Sequence, residues 1–148
     1  MGLFDIWRAS GVTWREARGN VLRQQLDDAT ARLRGTNYPA MHGFYGNVEA
    51  TIEELREAYN AASPRERKAL LEHCRKSSIQ MWNTGQWPQA LGLNISCLNV
   101  ESAHLPGEDA AYVKRETDKI IAEARTSTAR WREDLERGLR ERKPKGTE

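Results

Sequence analysis

The chain has 148 residues, the length of one ordinary domain, and its 23 Lys and Arg against 21 Asp and Glu leave a formal charge of only +2. No uninterrupted apolar run exceeds four residues, which excludes a membrane-spanning helix and the apolar region of a secretory signal. Leu, Ile, Val and Phe total 26 residues, about 18%, but balanced charge, five Trp and four Tyr argue for a folded, soluble chain with a thin core.

The elements follow from hydrophobic spacing and punctuation. Thr13-Trp14-Arg15-Glu16 has the form of a helix-starting capping box, and Leu22, Leu26, Ala29 and Leu33 then recur on one helix face until Gly35. Residues 39–46 hold two glycines and two aromatics after Asn37-Tyr38-Pro39, and read as a packed loop or weak turn. Asn47 would cap a second helix with Val48, Ile52, Leu55 and Tyr59 inward and Glu49, Glu53, Glu54 and Glu57 outward.

Ser63-Pro64-Arg65-Glu66 is the clearest start signal: a Ser cap, Pro in the first turn and Glu completing the box. This third helix runs through Leu70, Leu71, Cys74, Ser78 and Met81 to Gly85. A fourth follows Gln86-Trp87-Pro88 with Leu91, Ile95, Leu98, Ser102 and Leu105, and closes at Pro106-Gly107. The fifth carries Ala110, Val113, Thr117, Ile121, Ala124, Thr128, Trp131, Leu135 and Leu139 at the α-helical period, with acids at its start and arginines near its end, as the helix dipole favours. No segment alternates with period two. The expectation is all-α: an irregular bundle of about five helices in a single domain over 1–142, with an N-terminal apolar segment (1–11) docking on it and a flexible tail at 143–148.

A helix from about 108 to 141 spans roughly 50 Å, longer than its neighbours, unless it bends near Arg125-Thr126-Ser127-Thr128-Ala129. Kept straight, it carries Trp131, Leu135 and Leu139 beyond the bundle. Either the first helix lies antiparallel and covers them, or they form an interface together with Phe4 and Trp7 of the N-terminal segment.

Chemical motifs are sparse. No phosphate-binding glycine loop, His-Glu-x-x-His, Gly-x-Ser-x-Gly or Cys-x-x-Cys occurs, so no catalytic residue is nominated and the chain reads as more consistent with a non-enzymatic role. Two cysteines are too few for a disulfide scaffold and point to a reducing, cytoplasmic setting. Cys97, Glu101 and His104 fall at i, i+4 and i+7, and an antiparallel hairpin of the third and fourth helices would bring Cys74 level with Cys97. These four are a candidate zinc site, weighed against buried core thiols; otherwise no cofactor is called for. Glu101-x-x-His104 also matches half of a di-iron bundle motif, without the second copy that chemistry needs.

Charge is distributed in blocks: 63–84 and 125–145 are net basic, 39–62 and 85–113 net acidic. Arg130, Arg132, Arg137 and Arg140, with Trp131 among them, are candidate nucleic-acid contacts, diluted by Glu133, Asp134 and Glu136, which could instead pair as Glu133–Arg137 and Glu136–Arg140. The reading that follows is a helical protein–protein interaction or assembly module, a homo-oligomer joined through the last helix. A metal-binding bundle and an Arg/Trp nucleic-acid binder are the alternatives.

Overall fold

The computed structural model describes residues 13–142, which form five helices and, among the described residues, no strand. They are α1 (Trp14–Leu33), α2 (Tyr38–Ala61), α3 (Pro64–Asn83), α4 (Trp87–Ser102) and α5 (Glu108–Glu141). The expected segment 1–11 and tail 143–148 fall outside the described residues. No described helix is long and apolar enough to cross a membrane.

The start signals act as their chemistry requires. Thr13 Oγ1 accepts from the Glu16 N–H at 3.2 Å. Ser63 makes the full reciprocal box, its Oγ accepting from the Glu66 N–H while Glu66 Oε1 accepts from the Ser63 N–H. Gly35, Gly85 and Gly107, with φ between +77° and +95°, turn the chain out of α1, out of α3 and into α5.

The second helix begins ten residues earlier than its spacing suggests. Asn37, not Asn47, is its cap, accepting from the Ala40 N–H at 3.1 Å, with Pro39 in the first turn. Of the two glycines that suggested a loop, Gly43 has a packing role instead. A Cβ on Gly43 would lie 3.2 Å from Gln89 and 3.4 Å from Pro88, so the missing side chain lets α2 approach the start of α4.

α4 is the hub. It packs against all four other helices, and from Ala90 to Ser102 only Asn94 and Cys97 escape full burial. α5 packs on α1 and α2, while α1 and α3 both lie on α4 and make no substantial contact with each other. Leu22, Leu26, Phe44, Val48, Ile52, Ile95, Leu98, Val113 and Ile121 fill the core around this hub. The closest approach is at Gly92, where a Cβ would stand 2.8 Å from the Phe44 carbonyl oxygen and 2.9 Å from Asn47 Cβ.

α5 is one continuous helix of 34 residues, about 51 Å. No break falls at 125–129. The Thr126 and Thr128 hydroxyls bond back to the carbonyls of Ala122 and Ala124, which keeps them satisfied within the helix. α1 runs beside the first part of α5 in the same direction, with Glu16 against Gly107, Gly19 abutting Ala110 and Arg23 pairing with Asp109 at 2.9 Å, rather than antiparallel to it. The first helix therefore does not cover the far end of the last one.

Two glycines in helix interiors should respond oppositely to alanine. Gly46→Ala meets open space and should raise the unfolding free energy by about 0.5–1 kcal/mol. Gly92→Ala drives a methyl into the α2 backbone and should lower it by about 1–3 kcal/mol. Urea unfolding followed by circular dichroism measures both.

Candidate functional site

Two surfaces stand out, and they share no residue. The first is a trough of about 1020 Å³ between α1 and α3. Its floor is α4, with Leu91, Leu98 and Cys97, and its apolar walls include Leu22, Ala29 and Leu71. α1 and α3 run in the same direction along it. At one end Arg15 donates to the His104 carbonyl and Arg67 donates to the Tyr59 carbonyl at 2.8 Å. At the other, the Arg32 guanidinium stacks 4.8 Å over the half-exposed Trp82 ring.

Most of the rim is cationic. Arg15, Arg18, Arg32, Arg67, Lys68 and Arg75 line it, against Asp28, Glu72 and Glu101. Glu101 is already neutralised: it is buried, and Arg18 holds both of its oxygens, at 2.6 and 2.8 Å, which raises the Arg18 pKa further. Arg75 reaches Glu72 at 3.8 Å, whereas no carboxylate pairs with Arg15, Arg32, Arg67 or Lys68 among the described residues.

The residues considered for zinc are partly brought together. Cys97, Glu101 and His104 all line the trough, and Cys74 lies level with Cys97 across the α3–α4 hairpin. Their donor atoms are otherwise engaged. The Cys74 and Cys97 thiols lie against each other, which pulls Cys74 down to about 7 and pushes Cys97 up. Glu101 is taken by Arg18. His104 lies beyond the end of α4, stacks 4.9 Å from the Tyr59 ring and bonds Asn60 at 3.1 Å. No group of three or more His, Cys, Asp or Glu among the described residues is arranged to hold a metal.

The second surface is the outer end of α5. Its last ties to the bundle are the contact between the Trp131 and His42 rings, 5.7 Å apart, and the Arg132–Glu49 pair at 3.7 Å. Trp131, and beyond it Leu135 and Leu139, are 46%, 48% and 61% exposed. Single exposed apolar residues are ordinary; three on one helix face form a patch. Phe4 and Trp7, expected to join them, lie outside the described residues. Arg130, Arg132, Arg137 and Arg140 all sit on this exposed end. The recorded pair there is Asp134–Arg137 at 3.4 Å, rather than the expected Glu133–Arg137 and Glu136–Arg140.

The spacing of apolar residues did not reveal the trough, because its cationic wall comes from helices far apart in sequence. The residue classes that hold it open were legible only as exposed arginines. Arg18 was not singled out at all.

Burial, and then the charges of Arg67 and Arg15, hold His104 below the ordinary imidazole range. The unfolded chain therefore binds this proton more readily than the fold, so stability rises with pH up to about 6.5 and falls on the acid side. His104→Gln should lose less stability than the parent chain between pH 7 and pH 5, as read from urea midpoints at each pH. Comparison with protein-family models, curated proteins and solved structures gives no match for this chain.

Proposed function

We propose that the protein is a helical assembly module that associates with a second copy of itself through the outer end of α5. The observation that carries this reading is the half-exposed stripe Trp131, Leu135 and Leu139 on a helix that outruns its bundle. Covering a large apolar side chain is worth about 1.5–3 kcal/mol relative to leaving it in water, so the stripe favours a partner surface.

The flanking charges support a like partner over a strongly charged one. Residues 125–142 interleave six basic with four acidic side chains, so the segment presents both signs to an identical copy laid against it. A two-fold pairing needs such a self-complementary patch. A nucleic acid would favour a segment of one sign, and the acids at Glu133, Asp134 and Glu136 oppose that use.

Sedimentation velocity from 1 to 200 µM tests the reading. The parent chain should show concentration-dependent dimerisation, and Leu135→Glu should sediment as a monomer with an unchanged helical spectrum. Leu135 is already half in water, so this charge costs little folding stability. A parent chain that stays monomeric at 200 µM, or a dimer indifferent to Leu135→Glu and Trp131→Ala, overturns it.

A further inference from the structure

The trough is the vacant sector of an incomplete ring. α1, α5 and α2 pack in turn around α4, α3 packs on α4 alone, and the arc between α3 and α1 is left open. The two walls lie side by side with an apolar floor between them. From Arg15 to Arg32 the α1 wall is about 26 Å long, the length of a helix of 17 to 18 residues. At about 1020 Å³ the space is at the upper limit of small-molecule pockets and open along its length.

We infer that this trough is a docking site for an acidic amphipathic helix of another polypeptide, its apolar face on the α4 floor and its carboxylates against the two cationic walls. Three observations select that occupant. The floor offers Leu91 and Leu98, and the walls Leu71 and Ala29, to the apolar anchors of a helix laid in a groove. The cations stand on both walls and at both ends: Arg15, Arg67 and Lys68 near Tyr59 and His104, Arg32 beside Trp82. A single-headed acyl anion would use one end only, whereas carboxylates along a helix would meet all of them. Finally, the charges already present are not self-cancelling, because Glu101 spends its charge on Arg18 and Glu72 on Arg75, which leaves Arg15, Arg32, Arg67 and Lys68 unmatched among the described residues.

The chain's own exposed stripe is a poor candidate for this seat. Residues 125–142 carry an excess of basic groups and would bring like charge to a cationic rim. The site is thus separate from the self-association proposed for α5, and either can fail without the other.

A display selection tests it, using 18-residue helical peptides with a fixed Leu/Ala face and Glu or Lys allowed at each flanking position. The bait is the full chain, and the counter-bait is the triple variant Arg15→Glu, Arg67→Glu, Lys68→Glu. Selected peptides should be Glu-rich on both flanks. By fluorescence anisotropy they should bind the parent chain at least tenfold tighter than the triple variant, and progressively more weakly as salt rises. Leu135→Glu should bind them as the parent does, which separates this site from the α5 surface. Gln25→Trp, which puts an indole into the trough from an exposed position on the α1 wall, should abolish binding while the fold persists. Lys-rich winners, no enrichment over the counter-bait, or binding that survives both the triple variant and Gln25→Trp would overturn the assignment. So would loss of self-association in the triple variant with no peptide bound, which would give the seat to a second copy.

Discussion

Everything in this bundle is organised by the enclosure of one 16-residue helix. A helix covered on nearly every side has almost no solvent face on which to place polar side chains, yet α4 contains Asn94, Ser96, Asn99, Glu101 and Ser102, of which only Asn94 is exposed. Each of these must find a partner or impose the cost of an unpaired polar group in the interior. The partners come from every neighbour. Glu101 meets Arg18 of α1, Ser96 meets Thr51 of α2 at 2.9 Å, and Asn94 accepts from Ser78 of α3 at 2.9 Å. Asn99 donates to Thr117 and Asp118 of α5 and accepts from Arg56 of α2. Apolar burial supplies the bulk of the stabilisation, and these bonds determine which helix stands against which face. A rotated or shifted α4 would strand several polar groups at once.

The same polar connections explain the shape of the opening. α1 and α3 are each anchored to α4 by a polar contact at a different level, Arg18–Glu101 and Ser78–Asn94, and neither needs the other. Among the described residues, the bridge between them is the stacking of Arg32 on Trp82. A cleft whose two walls are fixed independently of one another is the result.

Much of the architecture was legible in the sequence. Capping at Ser63, the glycine turns and the 3.6-residue period gave five helices, the length of the last one and the level pairing of Cys74 with Cys97. The start of α2 was misplaced because Gly43 and Gly46 resemble loop punctuation. The feature that decides their state is the close packing of α2 on Pro88 and Gln89, a contact between residues some 45 positions apart. α4 was read as having one apolar face. Its polar residues are typical of a solvent side, and nothing local says that each has a distant partner. The exposed stripe of α5 was foreseeable from helix lengths alone, whereas the cationic trough arises from which helices fail to meet, a property of the assembled ring.

The absence of shared residues between the trough and the overhanging end of α5 has a consequence for stoichiometry. If two molecules join by their projecting ends, neither cleft is obstructed, and the pair becomes a bivalent particle. A target carrying two acidic segments would then engage the second at the high effective concentration set by the first, so modest individual contacts could add to a long residence time. The 51 Å helix would in that case act as a ruler, setting how far apart the two segments must lie.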